Sequence, residues 1–152
     1  MRTRIKYQVG SETLQEILVA SLKAETSYEY LMSKTKNEGL YQWLEFRKEA
    51  TTDFILKVLQ YLEEMNIVAA SYSNFNVKFQ NFVSDIKVLL MAKGEEAVIS
   101  LSLETDEKYL ESLYKVLKHP TVTDKLYKEY NSQIEIIRNS AREFVQSDTI
   151  IS

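Results

Sequence analysis

The chain has 152 residues, with a hydrophobic content of 45% and a charged content of 27%, the size and mixture of one domain around a single core. Its formal net charge of −3 gives no basic footprint for nucleic acid, and the absence of cysteine excludes disulfides, thiolate metal sites and cysteine nucleophiles. Three glycines and one proline leave little room for tight turns or sheet connections, so composition predicts an all-α protein.

Residues 1–10 read as an N-terminal extension. Arg2, Arg4 and Lys6 are not followed by an apolar run, which predicts neither a secretory leader nor a membrane span. The longest apolar runs, such as Val88–Ala92, are far too short to cross a bilayer. The expectation is a cytoplasmic protein.

The first helix is predicted over Glu12–Lys36, with capping chemistry from Ser11 and the Thr13–Glu16 stretch. At about 100° per residue, Leu14, Leu18, Ser21, Glu25, Tyr28 and Met32 share one side, flanked by Ile17, Leu22 and Leu31. Asn37-Glu38-Gly39 supplies a short turn. The second helix, Leu40–Met65, carries the stripe Leu40, Trp43, Arg47, Ala50, Phe54, Val58, Tyr61 and Met65, with Leu44, Thr51 and Leu62 at its shoulder. Arg47 is the intruder in this stripe, whereas Glu49 points to the surface.

Ile67–Asn76 is a connection rich in Ala, Ser and Asn. An amphipathic piece follows, with Phe79, Phe82, Val83, Ile86, Leu89 and Leu90 at helical spacing, until Lys93-Gly94 breaks it. Helix resumes near Glu95 and continues to Lys118, placing Ile99, Leu103, Asp106, Glu107, Leu110, Leu113, Tyr114 and Leu117 on or beside one stripe. His119-Pro120 ends it, because the residue before proline is pushed out of the helical region. Thr121–Asp124 can cap the last helix, whose inner face is Leu126, Tyr130, Gln133, Ile137, Ala141 and Phe144. Residues 146–152 form a frayed tail. The pattern is one domain, residues 11–145: two antiparallel helical hairpins joined by a long crossover that holds an extra helix, the connectivity of a ferritin-like four-helix bundle.

Polar residues interrupt the apolar stripes. Counting depth along antiparallel pairs sets Glu25 opposite Ala50 and Thr51, and Glu107 opposite Gln133. A dinuclear carboxylate bundle needs a Glu from two helices and Glu-x-x-His from the other two. Here the first and third helices keep a Glu, the second offers neither carboxylate nor His at that depth, and the fourth offers Gln133. His119, at a helix end, serves no mid-bundle site. Three readings of these residues stand side by side. Glu25 and Glu107 flank the core and reach water; or Arg47 pairs with Glu25 as a buried substitute for a metal; or Glu25, Glu107 and Gln133 hold a single metal, iron or manganese, or a small ligand. Tyr28, Tyr61, Tyr114 and Tyr130 are expected inside, where their hydroxyls satisfy the same carboxylates.

The chain resembles an uncharacterised bacterial family of ferritin-like four-helix-bundle proteins. The resemblance rests on Leu14-Gln15-Glu16-Ile17-Leu18 leading to Glu25 and Tyr28, the long second helix, and the crossover helix about Phe79 to Leu90. Glu104-Thr105-Asp106-Glu107, Tyr114 and the last helix, Lys125–Phe144, complete it, so it spans Ser11 to Phe144. Such proteins often have an Asp-Gly pair and a further Gly before the Tyr, where this chain has Lys23-Ala24 and Ser27. They carry a His late in the last helix, where this chain has Ala141. The resemblance implies the fold, carries a metal site over only to Glu25 and Glu107, and names no activity.

The functional expectation is a non-catalytic binding, assembly or stress-associated protein with Glu25, Arg47, Glu107 and Gln133 serving structure, the alternative being an iron- or manganese-binding protein with an atypical carboxylate site. A homo-oligomer contact is expected through Phe79, Phe82, Ile86 and Leu90, since exposed apolar patches mark interfaces; the alternative is that this helix caps its own bundle.

Overall fold

The computed structural model describes residues 2–67, 86–88, 90, 91, 94, 96–120 and 122–146, with 2–10 and 141–146 described as backbone only. Four long helices carry the fold: α1 (Arg2–Lys34), α2 (Glu38–Glu64), α3 (Glu96–Leu117) and α4 (Asp124–Gln146). Among the described residues there is no strand, and no helix is long and apolar enough to cross a membrane. α1 begins at Arg2, so the segment expected as a separate extension continues the first helix. The tail 147–152 and the crossover residues 68–85, Phe79 and Phe82 among them, lie outside the described residues.

Local chemistry fixes the helix ends. Asn37, in extended backbone, caps α2 by accepting a hydrogen bond from the Leu40 amide at 2.9 Å. At the other end of α2, Asn66 adopts φ 57°, a left-handed conformation that asparagine tolerates better than most residues. The Ile67 amide then donates to the Leu62 carbonyl at 2.9 Å, and the Asn66 amide to the Glu63 carbonyl at 2.9 Å. These two bonds close a Schellman-type cap. Thr123 caps α4: its hydroxyl accepts from the Leu126 amide at 3.3 Å, and its carbonyl from the Tyr127 amide at 2.8 Å.

Side-chain pairs between helices reveal how they run. Thr52 meets Glu25, Lys115 meets Glu16, Gln133 meets Tyr109, and Lys57 meets Glu129. Trp43 reaches Ser140 as well. In neighbouring helices, later residues of one meet earlier residues of the other. α1 packs on α2 and α3, and α4 packs on α3 and α2, so every neighbour in the ring α1–α2–α4–α3 is antiparallel. α2 and α3, on the diagonal, run the same way. The end of α2 and the start of α3 therefore lie at opposite ends of the bundle, separated by the length of the 27-residue α2, about 40 Å at 1.5 Å per residue. From the crossover, Ile86 is buried in the core and Leu90 packs against it. Gly94, at φ +72°, ends the turn; nothing stands within 4 Å of a Cβ added there, so backbone conformation and not space calls for glycine.

The core runs through Leu14, Ile17, Leu18, Leu44, Val58, Leu113 and Ile137, all essentially inaccessible. α4 turns its expected face inward, with Leu126, Tyr130, Gln133 and Ile137 buried. α3 does not. Its inner line is Val98, Ser102, Asp106, Tyr109, Leu113 and Val116, about one residue out of step with the predicted stripe. Ile99, Leu103, Leu110 and Leu117 are half-buried, while Glu107 and Tyr114 face solvent. The physical reason is that α3 is apolar over a wide arc. Several rotations bury similar apolar area, and the rotation adopted is the one that gives Asp106 and Tyr109 their polar partners.

Asn37→Ala is expected to lower stability by about 0.5–2 kcal/mol, the usual loss for a missing N-cap, with Asn37→Asp close to wild type. Urea denaturation followed by circular dichroism checks this, and an unchanged Asn37→Ala midpoint would show that the cap contributes nothing.

Candidate functional site

The polar residues that enter the core form a column with two nodes. At the first, Arg47 from α2 is wholly inaccessible. Its Nε donates to Asp106 Oδ1 at 2.8 Å and its Nη2 to Asp106 Oδ2 at 2.7 Å, a bidentate, charge-assisted pair across the diagonal from α2 to α3. The Tyr28 hydroxyl, from α1, donates to the same Oδ1 at 2.5 Å. The guanidinium lies 3.4 Å above the centroid of the Trp43 ring, a desolvated cation–π contact. Trp43 Nε1 in turn donates to the Ser140 carbonyl of α4 at 3.0 Å. One node thus ties all four helices. Burial raises the Asp106 carboxyl above its usual range, against the opposing pull of Arg47 and Tyr28. Nη1 of Arg47 is buried with no acceptor among the described residues.

The second node is the Tyr109 hydroxyl of α3. It shares a hydrogen bond with Ser21 Oγ of α1 at 2.8 Å and accepts from Gln133 Nε2 of α4 at 3.2 Å. Burial pushes its phenol far above the ordinary value, against the hydroxyl of Ser21, the amide of Gln133 and the hydroxyl of Thr51. Ser27 and Thr105 pair at 2.7 Å along the same α1–α3 seam. Tyr130, toward the end of the bundle that holds the α3–α4 turn, packs edge-on against Phe54 with centroids 6.2 Å apart. Burial pushes its phenol up to about 12, with the Thr13 hydroxyl pulling the other way.

The expected site residues are distributed differently. Glu25 is half-buried at the α1–α2 seam and accepts from Thr52 Oγ1 at 2.5 Å. Glu107 faces solvent, and Gln133 is buried against Tyr109. The three therefore point to different surroundings, and Arg47 takes Asp106 as its partner instead of Glu25. Among the described residues, no group of three or more His, Asp or Glu side chains is arranged to hold a metal ion. Of the four tyrosines expected inside, Tyr28 and Tyr130 are buried, Tyr61 is half-buried and Tyr114 is exposed. Asp106 was readable as an inner residue, but Tyr109 was missed. Its signal was its place one turn from Asp106 on α3, and that signal could be used only once the rotation of α3 was known.

No protein-family model, characterised protein or solved structure matches this chain. Function is therefore read from the site itself. Two cavities flank the second node, one reaching Thr105 and Tyr109 and the other Gln133. One, of about 390 Å³, opens between α1 and α3 beside Ala20, Ala24, Ile86 and Leu101. The other, of about 300 Å³, lies between α2 and α4 beside Phe46, Asp53, Glu129 and Ile136. Neither is lined by Arg47, Asp106 or Tyr28. Arg47, Asp106 and Tyr28 are all buried, and phenols with raised pKa values are poor proton donors near neutrality.

Removing one partner of a buried ion pair strands the other charge. Arg47→Ala is accordingly expected to destabilise by about 3–5 kcal/mol, while replacing the whole node with Arg47→Met, Asp106→Leu and Tyr28→Phe recovers most of that loss. Denaturant midpoints of the two variants decide it; a mild Arg47→Ala effect would mean the pair is not desolvated.

The buried phenols predict the alkaline limit. Because the folded-state pKa values of Tyr28, Tyr109 and Tyr130 lie above 10.0, their contribution is complete below pH 10 or so and lost as pH climbs through and beyond about 12. Of the ten tyrosines, these three should ionise, by absorbance at 295 nm, only together with loss of the helical circular-dichroism signal. Ionisation of all ten near pH 10 with helix intact would contradict the burial.

Proposed function

We propose that this chain is a non-catalytic bundle of ferritin-like connectivity that works as a binding or assembly protein, its inner polar residues fixing helix register. The connectivity rests on the antiparallel ring with a single long crossover between α2 and α3, the arrangement that ferritin-like folds use. The observation that carries the functional reading is the saturation of Asp106 by Arg47 and Tyr28. In a carboxylate metal bundle, inward Glu and His side chains leave lone pairs aimed at a shared point. Here the equivalent space holds a guanidinium, whose permanent positive charge repels a metal cation and already neutralises the carboxylate beside it.

Elemental analysis of protein purified without added metal, repeated after anaerobic loading with Fe²⁺ or Mn²⁺, tests this. The expected result is no near-stoichiometric metal in either preparation, together with a lowered denaturation midpoint for Asp106→Asn. Stoichiometric uptake that disappears in Glu25→Ala and Glu107→Ala would replace this reading with a carboxylate metal site.

A further inference from the structure

The seam between α2 and α4 holds a cavity of about 300 Å³, at the lower end of the sizes that small-molecule sites occupy. The contacts of Lys57 with Glu129 and of Trp43 with Ser140 set the register of the two helices, and the lining residues fall into layers accordingly. Phe46 and Ile136 form one end, Asp53 and Glu129 the other, with Glu49, Ala50 and Gln133 between them. From position 46 to position 53 the cavity follows α2 for about 10 Å. Ala50 brings only a methyl group to the wall. Gln133, 3% exposed, forms the floor.

That floor offers an acceptor. Gln133 Nε2 is turned toward α3, where it donates to the Tyr109 hydroxyl, and the side chain makes no other hydrogen bond among the described residues. The two ends of an amide diverge, so Oε1 is directed away from Tyr109, toward the cavity that Gln133 lines. This oxygen is not sealed in the core, so a molecule in the cavity can reach it. A nearly buried carbonyl without a partner is unfavourable, and a ligand N–H would satisfy it. The rim carries an excess of negative charge. Lys57 engages Glu129 at 3.4 Å. Glu49 and Asp53, one turn apart on α2 and both exposed, have no ion pair or hydrogen bond among the described residues.

We propose that this cavity binds a primary monoamine with an aromatic or short alkyl body. The ammonium sits between Glu49 and Asp53 and donates to Gln133 Oε1, while the body lies along the seam against Phe54, Ile136 and Phe46. A carbonyl floor and a carboxylate rim both favour a cationic donor, and the same groups repel an anion. A metal ion fits less well. Among the described residues no three acidic side chains are grouped to hold one, and the apolar end gives it no ligand. This inference rests on the binding part of the reading above. The two fail separately: metal uptake would be read at Glu25 and Glu107, amine binding at Glu49, Asp53 and Gln133.

Two-dimensional amide NMR of the full chain, titrated with 2-phenylethylamine and separately with phenylacetate, provides the test. The amine is expected to saturate with a dissociation constant of about 1 mM or tighter, within reach of so small a ligand, and to shift backbone signals within 46–57 and 129–136. Phenylacetate, matched in its ring and opposite in charge, should leave them in place. Glu49→Gln combined with Asp53→Asn removes two exposed charges and should weaken the amine about fivefold or more, with the helical signal unchanged. Gln133→Met removes the floor acceptor and should abolish the shifts; if the lost Tyr109 bond unfolds that variant, the rim variant decides alone. An amine that does not saturate, one that phenylacetate matches, or one indifferent to the rim variant overturns the proposal. So does displacement of the amine by an equal concentration of Ca²⁺, which would make the rim a general cation trap.

Discussion

The bidentate pair of Arg47 and Asp106 is the constraint to which the rest of the interior adjusts. It joins α2 to α3, which lie on the diagonal of the ring and make few other contacts. A guanidinium fork accepts a carboxylate in one plane and at one distance. Rotating α3 by a single residue, toward the setting that would bury Leu103, Leu110 and Leu117 more deeply, carries Asp106 out of reach. Arg47 would then be left charged in the core, a loss far larger than the difference between two similar apolar packings. The rotation of α3 is thus settled by two polar side chains. Tyr28 and Trp43 confine the guanidinium further, one through the shared carboxylate oxygen and the other through its ring face.

The second node extends the same logic along the bundle. Tyr109 lies about one turn beyond Asp106 on α3, and once Asp106 faces inward Tyr109 must follow. Its hydroxyl arrives between Ser21 and Gln133, residues from two different helices. A buried phenol without partners would be unfavourable, whereas one held by two neighbours specifies the heights of α1 and α4 relative to α3. The small residues at this level, Ser21, Ser27, Thr51 and Thr105, leave room for the tyrosine rings. Ser21 bonds to the Tyr109 hydroxyl itself, Ser27 and Thr105 pair with each other, and Thr51 donates to the Arg47 carbonyl one turn back at 2.8 Å.

Much of this was legible in the sequence, for identifiable reasons. The four long helices, though not the start of α1 at Arg2, followed from apolar spacing and from Asn37, Gly94, Pro120 and Thr123, whose backbone preferences act locally. Arg47 stood out because a permanently charged residue in an apolar stripe has few explanations. Its partner was not legible. Glu25 and Asp106 are both carboxylates near the right depth, and choosing between them requires the rotation of α3. That rotation depends on contacts with other helices, which periodicity within one helix does not encode. Glu107 illustrates the consequence: next to Asp106 in sequence and identical in charge, it lies about 100° away around the helix and faces water.

Charge balance distinguishes the Arg47–Asp106 node from a carboxylate metal centre. A dinuclear bundle concentrates carboxylates, and its core is electrically incomplete until cations enter. In this chain the cation is covalent. Arg47 neutralises Asp106 without recruiting anything from solution, and the neighbouring polar groups, Tyr28, Tyr109 and Gln133, carry no charge near neutrality. Burying an ion pair brings little net stability over apolar packing, so its persistence is better explained by what it excludes: alternative rotations of α3 and alternative pairings of the two hairpins.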